Sequence, residues 1–366
     1  MQAGRSVCEL LTRKSEITPQ YLKMKKDPNP MFIWGCGAFA VRVYHYCRNY
    51  EIPVAGFFVN VPEEKTEFEG LPVYRIEQLI ASHPKFSVII GHANYTFGTA
   101  WLKRIATVQN VYCITSCCYD IWNPISEAFL AEHEGTLNEF YSRLSDEASK
   151  RCFLSYFESR INDDPFYMFP CYKNEIGYYQ NDVFALGNNE TLLDIGACVG
   201  NSIWPFVEAV EGAYHTIIAL EPDEDNCLLL QDRILERSLQ NVIVKQVCAY
   251  EKEGFVKFSG EQEQGGIQED AGQYRLCPAV TVDRLCKELE ADVSLLKINF
   301  PFSVPQILQG AKELLRKQRP KMIVRAGFDE NVLLETYRTI RLLNPDYRIY
   351  LRYTVGIPQG LTIFAI

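Results

Sequence analysis

Leu192-Leu193-Asp194-Ile195-Gly196-Ala197-Cys198-Val199-Gly200-Asn201 is the stretch on which the fold of this chain turns. An apolar run ends in an aspartate, a glycine bend follows, and helical spacing opens after it: strand, turn, helix. Gly196 can carry the backbone round a tight bend, and its missing side chain lets another group lie against the main chain. Gly200 lets the following helix pack close to the strand. Asp194 stands where a carboxylate can meet the cationic amino group of a bound amino-acid moiety. The next apolar strand closes in Ala219-Leu220-Glu221-Pro222, 27 residues beyond Asp194. A carboxylate there can accept two hydrogen bonds from a ribose diol, the plainer alternative being a solvated strand end. Open α/β sheets bind ligands beyond the carboxyl ends of their strands, which puts Asp194, Gly196, Glu221, Ala249 and Asn299 on one rim. The small Ala249 leaves room there for an adenine edge.

Outward from this stretch, strands and helices alternate. The spacing predicts strands over Thr191–Ile195, His215–Glu221, Val242–Ala249, Ser294–Phe300 and Met322–Ala326. Helices are predicted over Asn201–Val210, Glu224–Glu236, Val282–Glu290, Val304–Lys317 and Asp329–Leu343. Two further strands, Tyr347–Tyr353 and Leu361–Ile366, are joined by so short a link that they must be antiparallel. The expected sheet has seven strands.

The order and spacing of these pieces resemble the FkbM family of S-adenosylmethionine-dependent methyltransferases over residues 183–366. The matching stretches are LLDIGACVGNS, IIALEPDEDNCLLL, NVIVKQVCAYEKEGFVKF, VTVDRL, LLKINF and ILQGAKELLRKQRPKMIV, with LNPDYRIYLRYT and LTIFAI at the end and Tyr178-Tyr179-Gln180-Asn181-Asp182 upstream. The resemblance implies an α/β class I methyltransferase domain with a seven-stranded Rossmann-like sheet. It implies S-adenosylmethionine as cofactor and O-methylation of a sugar, glycan or small metabolite. By position, Asp194, Gly196, Ala197 and Gly200 would hold the methionine part, with Asn201 beside them. Glu221 and the adjacent Pro222 would hold the ribose, and the Val247–Tyr250 rim, with Ala249, would flank the adenine.

The family pattern breaks after the fourth strand. Where it reads Lys-Ile-Asp-x-Glu-Gly, this chain has Lys297-Ile298-Asn299-Phe300-Pro301-Phe302. Methyl transfer to a hydroxyl needs alignment and a group to take the proton. Asn299 can orient a hydroxyl but cannot act as a base at neutral pH. Asn299 and Lys297 are the catalytic candidates and Tyr178 the acceptor-side one. His215, at the start of its strand, belongs to the opposite rim. The competing expectation is a catalytically degenerate methyltransferase fold that serves as a ligand-binding or scaffold module.

The rest of the chain divides into a helical segment (1–28), a small Rossmann-like domain (29–118) and a helical connector (119–182). In the second, strands are expected over Met31–Trp34, Pro53–Val59, Phe86–Ile90 and Val111–Ile114, with a helix over Ala38–Tyr50. Gly35-Cys36-Gly37-Ala38-Phe39-Ala40 matches the dinucleotide fingerprint G-x-G-x-x-A. The acid that should end its second strand is missing, since Val59 and Asn60 stand there. No Tyr-x-x-x-Lys follows it, so a nicotinamide oxidoreductase ranks last. This segment is similar to a Rossmann-like domain attached to bacterial sugar-modifying enzymes. The connector shows helical spacing over Glu127–Leu144 and Asp146–Ile161, then an aromatic-rich loop, Asp164–Asp182.

A length of 366 residues accommodates two cores. A net charge of −9 argues against a nucleic-acid partner, which needs a basic footprint. The 13 cysteines, Cys117 and Cys118 adjacent among them, contain no C-x-x-C pair and follow no signal peptide. They read as small buried apolar residues in a reducing cytoplasm. No apolar run approaches the ~20 residues of a membrane span. Homo-oligomerisation stays open.

Overall fold

The computed structural model describes residues 5–14, 20–60, 66–92, 95–114, 125–259, 266–267, 274–300, 303–356 and 358–366. Cys117, Cys118, Pro301 and Phe302 lie outside the described residues. The chain divides into two compact units. One takes Met1–Glu134, Leu154–Tyr172 and Val355–Pro358; the other takes Gly135–Phe153, Lys173–Thr354 and Gln359–Ile366.

The first unit opens with two short helices, α1 (Val7–Leu10) and α2 (Gln20–Lys25). There follow β1 (Met31–Trp34), α3 (Ala38–Asn49), β2 (Gly56–Val59), β3 (Glu67–Phe68), β4 (Leu71–Arg75), α4 (Ile76–Ser82), β5 (Phe86–Ile90), α5 (Tyr95–Leu102) and β6 (Val108–Tyr112). The sheet order is β3-β4-β2-β1-β5-β6, parallel except for the β3–β4 pair. Side chains of a strand alternate faces, and here both faces are covered. Met31 and Ile33 pack with Ala40, Val43 and Cys47 of α3. Phe32 packs with Phe58, Ile76, Leu79 and Leu102 on the other side. The last strand spans Val108–Tyr112 and so lies earlier than Val111–Ile114, and its register with β5 shifts between Phe86 and Val88. The β3–β4 hairpin adds to the expected elements. Helices α6 (Glu127–Arg143) and α7 (Glu147–Ile161) follow, each divided between the two units.

The second unit contains β7 (Thr191–Ile195), α8 (Ile203–Ala209), β8 (Thr216–Leu220), α9 (Glu224–Glu236) and β9 (Val242–Lys245). Next come β10 (Cys248–Ala249), β11 (Gly254–Ser259), β12 (Gly266–Ile267), β13 (Arg275–Val280), α10 (Val282–Glu288) and β14 (Leu295–Ile298). The unit closes with α11 (Val304–Gln309), α12 (Lys312–Lys317), β15 (Lys321–Arg325), α13 (Glu330–Leu343), β16 (Ile349–Tyr353) and β17 (Leu361–Ala365). Seven strands form one sheet in the order β16-β17-β15-β14-β7-β8-β9. β17 runs antiparallel to both its neighbours and the remaining pairings are parallel. The expected seven-stranded sheet with a terminal antiparallel pair is therefore present.

Two expected elements break. The strand read as Val242–Ala249 leaves the large sheet after Lys245, where the Val247 amide turns back to the Lys245 carbonyl at 3.0 Å. Cys248 and Ala249 then pair with β13 in a separate four-stranded sheet, β10-β13-β11-β12, that the sequence reading lacked. The helix read as Val304–Lys317 is two helices divided at Gly310. A Cβ on Gly310 would fall on the Tyr250 carbonyl, so the break lets the backbone approach that strand end. The Gly310 carbonyl accepts from the Asp283 amide at 2.9 Å. The Asp283 carboxylate in turn accepts from the amides of Glu313 and Leu314, both at 2.9 Å, and so caps the second helix.

Candidate functional site

At the centre of the seven-stranded sheet, β7 and β14 run side by side with Asp194 opposite Lys297. The two charges are 0% and 1% exposed and form an ion pair at 2.6 Å. An ammonium has three protons to place. Lys297 directs them to Asp194 Oδ1, to the Gly196 carbonyl (3.1 Å) and to Ser202 Oγ (3.1 Å). Ser202 Oγ donates to the other carboxylate oxygen, Oδ2, at 2.5 Å. The knot ties strand β14 to the glycine bend and to the start of α8. Asp194 therefore faces Lys297 and Ser202, whereas the sequence placed it on the open rim before a ligand ammonium. Lys297 sits beneath the surface as its counter-ion, and the Tyr178 ring lies 6.0 Å from its Nζ. Tyr179, absent from the sequence candidates, is buried beside them with a hydroxyl that has no hydrogen-bond partner among the described residues. Burial, then the charge of Asp194, pushes that hydroxyl well above its ordinary titration range.

The bend itself requires Gly196. Its φ is +76°, and a Cβ would strike the Asn299 carbonyl. The amides of Gly196 and Ala197 both donate to the Leu220 carbonyl, at 3.0 and 3.1 Å, which fastens the bend to β8. The face that Gly196 leaves bare is thus taken by the chain after β14. Beside Gly200 the space is filled by the Trp204 ring and the Leu230 side chain. Ala197 is buried and Asn201 is exposed.

Glu221 follows β8 directly and is 5% exposed. One carboxylate oxygen accepts from the Cys198 amide at 2.7 Å, across the bend. The other accepts from the Asp223 amide at 2.9 Å and from the Asn226 side chain at 3.5 Å. Burial raises its pKa above the ordinary glutamate value in spite of these three donors. Each carboxylate oxygen can accept twice, so Oε2 keeps an acceptor position open. Pro222 and Ala249 are buried close by in sequence order and at the end of β10. Asp223 caps α9 through the Asn226 amide and pairs with Arg275 of β13 at 2.5 Å.

Asn299 comes directly after β14. Its Oδ1 is buried and, among the described residues, has no hydrogen-bond partner. Phe300 is buried, its ring stacked on Phe258 at 6.2 Å. His215 is exposed at the amino end of β8, where its Nδ1 contacts the hydroxyls of Thr216 (3.1 Å) and Thr191 (3.4 Å). It stands at the strand end opposite Glu221. Among the described residues no group of three or more His, Cys, Asp or Glu is arranged to hold a metal ion.

In the first unit, Gly35 turns at φ +113° with its amide on the Phe58 carbonyl, and Gly37 is the N-cap of α3. Val59 closes β2, where an acid was missing from the fingerprint. His92, which the sequence did not single out, packs edge-on against Trp34 at 4.0 Å, and burial lowers its pKa.

No protein-family model matches the chain, and no curated protein matches it significantly. Among solved structures, a methyltransferase FkbM from Methylobacillus flagellatus KT superposes with a TM-score of 0.67 at 15% identity, over 96% of this chain and 94% of that one. Partial likenesses include a precorrin-6y C5,15-methyltransferase from Geobacter metallireducens GS-15 (TM-score 0.33, 12% identity, 50% and 81% of the two chains). Another is the S-adenosylhomocysteine-bound methyltransferase PaMTH1 of Podospora anserina (TM-score 0.29, 11% identity, 68% and 92%). What this chain shares with the Methylobacillus protein is the fold, an α/β Rossmann-like methyltransferase architecture along nearly its whole length.

Proposed function

We propose that this chain is an S-adenosylmethionine-dependent methyltransferase of the FkbM kind, acting in the cytoplasm on a hydroxyl of a sugar, glycan or small metabolite. The observation that carries the reading is Glu221. A carboxylate buried at the carboxyl end of the second strand, held toward the glycine bend by the Cys198 amide, keeps one acceptor position on Oε2 for a ribose hydroxyl, and this supports the reading. The adenosyl half of the cofactor fits what is present, with Glu221 for the ribose and the small Ala249 at the next strand end. Asp194 does not offer itself to the methionine half, because Lys297 and Ser202 occupy it. The Oδ1 of Asn299, without a hydrogen-bond partner among the described residues, is the acceptor left beside the bend.

When bound, the cofactor supplies a methyl group already activated on a sulfonium. What remains for the protein is alignment. The Asp194–Lys297–Ser202 knot holds the bend rigid, and Phe258 and Phe300 give the rim an apolar wall. Asn299 can orient an acceptor but cannot take its proton at neutral pH, so an acceptor that ionises readily suits this rim best.

A second reading draws on the same geometry. The bare face of Gly196 is filled by the Asn299 carbonyl and Asp194 is sealed, which favours a methyltransferase fold retained for binding or scaffolding. Isothermal titration with S-adenosylmethionine separates the two. Binding followed by methylation of a hydroxyl acceptor is the expected result. Absence of binding at millimolar cofactor rejects the enzyme, and binding without turnover across a panel of hydroxyl acceptors supports the second reading.

A further inference from the structure

Residues 177–184 are pinned by their own hydrogen bonds. The Gly177 amide donates to the Gln180 carbonyl at 2.7 Å, and the Asn181 side-chain amide donates to the Tyr178 carbonyl at 3.1 Å. Asn181 Oδ1 accepts from the amides of Val183 and Phe184, at 2.9 and 3.0 Å. So held, Tyr179 sets its ring against Phe206 of α8 with 5.4 Å between centroids, in one cluster with Leu192 of β7 and Ala197 of the glycine bend. The residue is 5% exposed, and its hydroxyl has no hydrogen-bond partner among the described residues. Tyr347 shows the ordinary arrangement: as deeply buried, it donates its hydroxyl proton to the Pro320 carbonyl at 2.9 Å. A buried hydroxyl left unpaired is costly, so one that persists calls for a partner from outside the chain.

The other donors around the bend are spent. Lys297 has placed its three protons on Asp194, Gly196 and Ser202. The amides of Gly196 and Ala197 go to the Leu220 carbonyl, that of Cys198 to Glu221 and that of Gly200 to the Ala197 carbonyl. Burial, then the charge of Asp194, keeps the Tyr179 phenol protonated at neutral pH, so its proton can be donated. On the acceptor side, Asn299 Oδ1 is unspent among the described residues. Its residue borders the same bend, with the Asn299 amide on the Ile195 carbonyl at 2.9 Å and the Asn299 carbonyl against Gly196.

We propose that the Tyr179 hydroxyl binds the carboxylate of the cofactor's amino-acid end, with Asn299 Oδ1 accepting from its ammonium. The inference rests on the methyltransferase reading and deepens it. A zwitterion needs donors for its carboxylate and acceptors for its ammonium. An unspent phenol proton and an unspent amide oxygen, both bordering residues 194–197, supply one of each. The sealing of Asp194 then has a use. With its charge met by Lys297, a second carboxylate can enter nearby without facing an unpaired like charge.

The test compares two ligands that share the adenosine and the sulfur. S-adenosylhomocysteine carries the amino-acid end, and methylthioadenosine lacks it. In the full chain bearing Tyr179→Phe, calorimetry should show S-adenosylhomocysteine affinity reduced about 10–100-fold, the scale of a hydrogen bond to a charged group, with methylthioadenosine affinity within about twofold of wild type. Without ligand, the variant should melt no lower than wild type, since the hydroxyl gives up no bond within the fold. Tyr347→Phe is the reverse control: it should melt lower through its lost bond to Pro320 and bind both ligands as wild type does. An unliganded Tyr179→Phe that melts as far below wild type as Tyr347→Phe would mean the hydroxyl serves the fold through a bound water, and would overturn the assignment. So would equal losses of the two ligands, or no loss of either, where wild type binds both. Wild-type protein that binds neither ligand would overturn the methyltransferase reading itself, and this inference with it.

Discussion

Lys297 shows how much of the site is scaffold. Its three ammonium protons all go to groups of the bend and its anchor, so removing the one anion beside it leaves a buried charge with neutral partners. Breaking such a pair costs about 3–5 kcal/mol. Asp194→Asn is expected to lower unfolding free energy by that order in urea titrations, with loss of cofactor binding as a consequence. Glu221→Gln should behave differently, retaining a folded protein but weakening S-adenosylhomocysteine binding about 10–100-fold by calorimetry, the scale of a hydrogen bond to a charged group. The wild-type affinity should also fall on acidification. Burial raises the folded-state pKa of Glu221, so its carboxylate protonates at a higher pH than an ordinary glutamate, and a ribose diol then loses its charged acceptor. An affinity unchanged down to pH 4.5 would contradict this. Both charges of the knot were legible as residues, each a lone ion in an apolar strand. Their pairing was not, because they are 103 positions apart and nothing local sets the register of β7 on β14.

Among the elements, those with a clear period were legible end to end. Thr191–Ile195 and Glu224–Glu236 begin and stop where the apolar pattern and the Asp223 cap say they should. The β10–β13 sheet was not. Two-residue strands carry no period, and Phe255, Tyr274 and Leu276 are exposed, so their apolar character marks no core. The division of α11 from α12 escaped for another reason: Gly310 in a helical pattern is ordinary until Tyr250 is seen against it. Gly310→Ala is expected to destabilise by about 1–3 kcal/mol through overpacking against that carbonyl, although alanine is the better helix former. Thermal unfolding would show the drop; a variant as stable as the parent would mean the helix junction yields freely.

At the scale of the whole molecule, the fold class was legible and the strand order was not, since order is set by which crossovers pack on which face. One tie across distant sequence is Arg352 of β16, whose guanidinium reaches Asp182 at 2.7 Å and Asp146 at 2.7 Å. Burial raises the Asp146 pKa, but the hydrogen bonds from Arg352 and Ser149 outweigh it and bring it down to about 2. A depressed carboxylate stabilises the fold above its unfolded value, near 3.8, and that contribution disappears as pH falls toward about 2. The melting temperature should therefore fall across that window, and less steeply in Asp146→Asn. The placement of β17 bears on biosynthesis. It is the last of its sheet to leave the ribosome, yet it lands between β15 and β16. Until it emerges, β16 is held by the Leu144–Ile349 bridge and the Arg352 ion pairs, and the edge of β15 away from β14 lacks its strand partner. A nascent chain stalled at Thr354 would be an unzipped intermediate, prone to capture by chaperones and quick to be cut by proteases, and the arrival of a handful of residues would seal it.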